Sequence, residues 1–152
     1  MPEPPRFYLD SNIYLAWISG EEGRVETARE LLTAGENRRL TIVTSTLVYA
    51  EVCGHGEVRS PEAEEVDNKI RTFFEHGFLR WIEVDLPTAR HARVLSRGYG
   101  LRGADAVHLA SAIRGKAERF MTWDVKDFPI GKVVEGVTVQ EPVAYGQGTL
   151  PV

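Results

Sequence analysis

Four carboxylates stand where an ionised side chain is costly. Asp10 ends the apolar run Phe7-Tyr8-Leu9, and Asp124 follows Phe120-Met121-Thr122-Trp123. Glu51 lies inside Leu47-Val48-Tyr49-Ala50-Glu51-Val52, and Asp105 inside Ala104-Asp105-Ala106-Val107-His108-Leu109-Ala110. A carboxylate in such company must be solvated, paired or bound to a cation. Gathered at one place the four would repel one another, and a divalent ion is the simplest relief. Hard oxygen donors without a thiolate or imidazole cluster favour Mg2+ or Mn2+ over zinc. Cys53 is the single cysteine, and His55, His76, His91 and His108 are scattered. A carboxylate-held divalent ion supports displacement at phosphorus by water, because bound water loses its proton more readily and phosphate charge is offset.

Such a pocket needs elements that deliver the acids to one edge. Arg6 to Leu9 reads as a buried strand with Asp10-Ser11-Asn12 at its tip, followed by a short helix from Asn12 to Ile18. Helical spacing of Val25, Ala28, Leu31 and Leu32 predicts a helix over Glu21 to Ala34, closed by Gly35. Leu40 to Thr44 is a second strand, and Ser45 or Thr46 caps a helix that carries Glu51 and stops at Gly54 and Gly56. Ser60-Pro61 opens a helix ended by Gly77, and Arg80 to Val84 alternates as a strand does. Pro87 starts a helix toward Arg97, broken by Gly98 and Gly100, and Gly103 to Arg114 forms another. Phe120 to Thr122 and Val137 to Val139 are the last strands expected. Strands alternating with helices imply parallel β-α-β units in a three-layer α/β domain, where ligands gather at the carboxyl ends of strands. Asp10 and Asp124 are therefore expected on the same sheet edge.

Length and composition bound the rest. At 152 residues, 43% hydrophobic and 26% charged, the chain is the size of one domain, too apolar for disorder. Residues 1–145 are expected to form that domain and 146–152 a flexible tail. No apolar run reaches the roughly 18 residues of a membrane helix. Met1-Pro2-Glu3-Pro4-Pro5 does not read as a signal peptide, so a cytoplasmic location without membrane attachment is the expectation. The lone cysteine removes an intrachain disulfide framework. The net charge of −4 speaks against a simple cationic wrapper of nucleic acid. Residues 90–119 nevertheless hold seven basic groups against two acids. Arg90, Arg93, Arg97 and Arg102 are candidate contacts for a polyanion outside an acidic pocket.

Four motifs in order carry a family likeness: Tyr8-Leu9-Asp10-Ser11-Asn12, Val48-Tyr49-Ala50-Glu51-Val52, the segment Leu101 to Ala110, and the segment Met121 to Phe128. With these, residues 6 to 142 resemble a PIN-domain protein, most closely the VapC-like toxin ribonucleases of toxin-antitoxin pairs. The resemblance implies an α/β/α fold with a central, mostly parallel sheet. It also implies a Mg2+- or Mn2+-dependent endoribonuclease that acts on RNA, a cognate antitoxin and a homodimer. Asp10, Glu51, Asp105 and Asp124 then correspond to the catalytic, metal-binding acids, with Asn12 and Thr122 in support. Two residues separate Asp124 from Asp127 where many relatives have one, so either can be the fourth acid; Asp124 is preferred because it follows the strand directly. His108 is expected as a packed or hydrogen-bonded residue of the helix rather than a catalyst. The competing reading is a catalytically inactive PIN-fold module that binds RNA or protein. A receiver-like phosphoacceptor is disfavoured, because the second and third acids fall within helices and no later strand-end lysine is present.

Overall fold

Phe7, Tyr8 and Leu9 are fully buried because the strand that carries them, β1 (Arg6–Leu9), lies between two parallel neighbours. A computed structural model describes residues 2–53 and 61–145. In chain order the elements are β1, α1 (Ser11–Ser19), α2 (Val25–Glu36), β2 (Thr41–Ser45), α3 (Thr46–Cys53), α4 (Pro61–Phe74) and β3 (Arg80–Ile82). They are followed by α5 (Leu86–Tyr99), α6 (Gly103–Arg114), β4 (Arg119–Met121), β5 (Val133–Val134) and β6 (Val137–Gln140). The sheet order is β3-β2-β1-β4-β6-β5, parallel except for the β5–β6 pair, within a three-layer α/β/α domain. The register sets Tyr8 beside both Val43 and Phe120. From β1 the chain builds outward through β2 to β3, then returns to place β4 on the other side of β1. That reversal opens a crevice at the carboxyl ends of β1 and β4. Asp10 and Thr122 are the residues that follow these two strands.

Several helix boundaries differ from the sequence reading: α4 ends at Phe74, short of Gly77, and three further differences have a local reason. Gly35 does not close α2 but lies inside it; a Cβ there would meet Ile42 Cδ1 at 2.3 Å, so the missing side chain lets α2 pack onto β2. Gly98 is likewise helical, and α5 ends at Gly100, whose φ of 67° is the left-handed conformation that glycine adopts without a Cβ penalty. The α2 helix begins at Val25 rather than Glu21, after turns in which the Arg24 and Val25 amides both bond to the Glu21 carbonyl. The β3 strand is shorter than Arg80 to Val84, because the Val84 amide turns to donate to Thr46 Oγ1 at 3.1 Å. Ser45, not Thr46, caps α3, accepting the Val48 amide at 3.3 Å. The expected stops at Gly54 and Gly56, the Ser60 cap and the 146–152 tail lie outside the described residues. No helix among the described residues is long and apolar enough to cross a membrane.

Candidate active site

Asp10 is the N-cap of α1 and is nearly buried, at 7% exposure. Its Oδ1 accepts the Ser11 amide at 2.8 Å, and its Oδ2 accepts the Thr122 hydroxyl at 2.6 Å. The cap explains why the chain turns here, and the Asp10 amide donates to Met121 O at 3.0 Å, extending the β1–β4 pairing to the crevice. Asn12 Nδ2 donates to Thr122 Oγ1 at 3.1 Å, and the same oxygen accepts the Asp124 amide at 3.0 Å. Thr122 thus ties the tips of β1 and β4 together beneath the first acid.

Glu51 reaches the same place from α3. Its Oε1 accepts His108 Nε2 at 2.7 Å and also the Ser11 hydroxyl. His108 Nε2 stands 3.8 Å from Asp10 Oδ1, so one imidazole faces both acids. Asp105 sits in the first turn of α6, where a carboxylate complements the helix dipole. A carboxylate oxygen from each of Asp105, Asp124 and Asp127 lies within 4.8 Å of the other two. Asp124 Oδ1 also accepts the Asp127 amide at 3.2 Å, which folds the turn so that both aspartates face Asp105. Asp124 thus caps the turn, and both candidates for the fourth acid join the cluster.

Electrostatics divides these groups in two. Burial pushes the Asp10 carboxyl above its ordinary range, against the pull of His108, Thr122 and the Ser11 amide. Burial also raises Asp105, and the charges of Asp10 and Asp124 raise it further. For Glu51, burial is the largest single influence and acts upward, but the bonds from His108 and Ser11 together with the His108 charge hold it below the usual range. Burial would depress His108, yet the Glu51 bond and the charges of Asp10, Glu51 and Asp105 raise it. Ionised Asp105 is thus opposed by its neighbours, as expected of a carboxylate cluster shaped for a cation. The donors within reach are hard oxygens, which suits Mg2+ or Mn2+.

The arginines singled out from the sequence do not join the acids. Arg93 and Arg97 line a groove between α5 and α6 with Ala89, Ala92, Ser96, Gly103 and Val107. Gly103 and Val107 share one face of α6, and Asp105, two residues after Gly103, projects on the other side. Arg90 and Arg102 are exposed. Ser11, Tyr8 and Ser45 are not site candidates on the sequence alone, where Ser45 reads as a helix cap and His108 as a packed or hydrogen-bonded residue. Its spacing is the signal that was available: a residue three after Asp105 on a helix lies on the same side.

Residues 7–129 match the family model described as PIN domain. No curated protein matches the chain. Among solved structures, a toxin-antitoxin complex from Klebsiella pneumoniae superposes with a TM-score of 0.65 at 21% identity, covering 90% of this chain and 98% of its counterpart. DNA-bound VapBC from Salmonella typhimurium gives a TM-score of 0.65 at 18% identity, with the same two coverages, 90% and 98%. VapC20 from Mycobacterium tuberculosis, described as a sarcin-ricin loop cleaving toxin, gives 0.60 at 15% identity over 79% of this chain and 91% of that one. At these identities the likeness is one of fold.

Proposed function

The chain belongs to the PIN domain family, and from that premise we propose that it is a Mg2+- or Mn2+-dependent endoribonuclease acting as the toxin of a toxin-antitoxin pair. The observation that carries the reading is the meeting of Asp105, Asp124 and Asp127 beside Asp10 and Glu51 at the crevice where the strand order reverses. Asp10, Glu51, Asp105 and Asp124 would hold the ion, with Asp127 close enough to share the task. Bound there, the ion would acidify a water molecule and offset phosphate charge, the chemistry that hydrolysis of a phosphodiester requires.

The chain's own groups prepare that site. Thr122 and the Ser11 amide fix both oxygens of Asp10, so its carboxylate is oriented before any ligand arrives. Asn12 holds the Thr122 hydroxyl in turn. Ser11 and His108 hold Glu51. Asp105 supplies charge whose repulsion by Asp10 and Asp124 a bound cation would relieve. Among the described residues Arg90, Arg93, Arg97 and Arg102 make no ion pair with the acids, and exposed side chains of this kind can grip the RNA backbone by its phosphates without neutralising the carboxylates.

Support for an antitoxin partner comes from the solved structures of similar fold, several of which are toxin-antitoxin complexes. A homodimer and a cytoplasmic location complete the reading. The test is to sequence RNA ends after brief induction of the protein in cells, beside an Asp105→Asn control made at the same level. New ends at recurrent positions with the wild type alone are expected; identical end profiles in the two cultures would overturn the reading.

A further inference from the structure

His108 is 1% exposed, and beyond its bond to Glu51 the reaction outlined above gives it no task. Its ring is engaged at both nitrogens: Nδ1 lies 2.8 Å from the Tyr8 hydroxyl and Nε2 lies 2.7 Å from Glu51 Oε1. The Tyr8 hydroxyl is also 2.8 Å from Ser45 Oγ, which accepts the Val48 amide at 3.3 Å. An ionised Glu51 offers only lone pairs, so Nε2 carries the hydrogen of that bond. The Nε2–H bond to Glu51 is common to the neutral and the protonated ring; in the neutral ring Nδ1 accepts, and the remaining hydrogens fall into one direction: Val48 N–H to Ser45, Ser45 O–H to Tyr8, Tyr8 O–H to His108. No donor in the row is left without an acceptor. The row begins at Val48 on α3 and returns to Glu51 on the same helix, passing through β2, β1 and α6.

We propose that the Ser45-Tyr8-His108 row positions Glu51, committing Oε1 to His108 and Ser11 and leaving Oε2 as the oxygen offered to a divalent cation. Among the described residues no hydrogen bond is made to Oε2, whereas Oε1 receives two. Glutamate has three side-chain torsions, and with its side chain 35% exposed Glu51 would otherwise sample several rotamers. The buried row removes that freedom from inside the protein, as partners one layer behind a metal ligand commonly do. His108 is thereby a positioning residue and not the general base: its Nε2 is taken up by Glu51, and its ring has almost no exposed surface. The inference rests on the metal-binding reading of the site and adds which residues set it up.

The test is Mn2+ binding by calorimetry to the full chain, free of RNA, for the wild type and for His108→Ala, His108→Gln, Tyr8→Phe, Glu51→Ala and the His108→Ala/Glu51→Ala double variant. His108→Ala should weaken Mn2+ binding about 10- to 100-fold, with Tyr8→Phe falling between it and the wild type. His108→Gln, which retains a side-chain N–H for Oε1, should recover most of the loss. In the Glu51→Ala background, His108→Ala should produce no further loss, because its effect runs through Glu51; a merely structural histidine would weaken binding in either background. Unchanged Mn2+ affinity in His108→Ala, or additive losses in the double variant, would overturn the proposal. Should the wild type itself take up no Mn2+, the metal reading fails, and nitrogen-proton NMR of the metal-free protein decides the row separately. A slowly exchanging imidazole Nε2–H whose exchange quickens in Glu51→Ala is the expected result; an unprotected or absent signal in the wild type would overturn the proposal.

Discussion

Replacing Asp105 by asparagine should stabilise the metal-free protein and destroy its response to metal. Carboxylate oxygens of Asp105, Asp124 and Asp127 lie within 4.8 Å of one another. At that separation a pair of unit charges repels by about 0.9 kcal/mol in water and about 3.5 kcal/mol at an effective dielectric of 20. Asp105 and Asp124 are half-buried and Asp127 is exposed, so the watery end of that range governs. Two such pairs include Asp105, and Asp10 adds a third opposing charge. Against them, the α6 N-terminus favours a carboxylate by roughly 0.3–1 kcal/mol. Repulsion therefore wins by about 1 kcal/mol, in the direction of the raised Asp105 pKa. A raised carboxyl pKa means that the fold prefers the protonated form, so stability falls as pH rises through the folded value; asparagine stays neutral at every pH. In EDTA at pH 7.5 and low salt, Asp105→Asn should melt about 2–4 °C above the wild type. With Mn2+ at a hundred times its Kd the wild type should gain about 2.7 kcal/mol and overtake the variant. Differential scanning calorimetry reads both arms. A variant that melts below the wild type in EDTA would refute the reasoning, since the acids would then not be opposing one another.

Four further outcomes are expected. In the metal-free protein His108 contributes stability that is complete below about pH 6.5 and is lost as pH rises through its higher folded value, so melting temperature should decline from pH 6 to 8.5 and His108→Gln should flatten that decline; equal slopes would exclude the His108 contribution. Glu51, held below its usual range, acts in the opposite sense and withdraws stability only as pH falls through its folded value, which chemical denaturation at acid pH in Glu51→Gln would expose. Gly35→Ala should destabilise by about 1–3 kcal/mol, because its Cβ would meet the buried Ile42 side chain, while Mn2+ affinity stays unchanged; melts and calorimetry check both halves. If Arg93 and Arg97 touch RNA phosphates, alanine at either should reduce the salt dependence of single-stranded RNA binding by about 0.7 in the log-log slope, measured by fluorescence anisotropy on a catalytically silent background.

Much of this arrangement was legible in the residues. The apolar run Arg6 to Leu9 and the helix Gly103 to Arg114 have the bounds that their periodicity predicts. Asp10 follows β1 directly, as an apolar run ending in polar residues requires, whereas β4 ends at Met121 rather than Thr122, so Asp124 sits in the turn beyond the strand and not directly after it. The two-residue β5 escaped because Val133–Val134 is too short to show a period, and its antiparallel pairing with β6 is a tertiary outcome. Gly35 and Gly98 misled because glycine serves close packing and helix interiors as well as helix ends; Gly100, like Gly20 at the end of α1, shows the positive φ that marks a stop, and Gly35 and Gly98 do not. His108 illustrates the limit of local reading. Its helical neighbours explain its burial, but its partners Tyr8 and Glu51, and Ser45 behind Tyr8, come from three other elements that only the folded sheet brings within reach.

The central claim is that the acids at the β1–β4 crevice bind a divalent ion and cut RNA there. Its most direct measurement is cleavage of an end-labelled RNA by antitoxin-free protein, first in EDTA and then with Mg2+ or Mn2+ restored, beside Asp10→Asn and Asp105→Asn purified in parallel. The wild type should cut only after the ion is restored, and both variants should leave the RNA as intact as the EDTA control does. Cleavage that persists in EDTA, or that survives undiminished in both variants, would contradict the account.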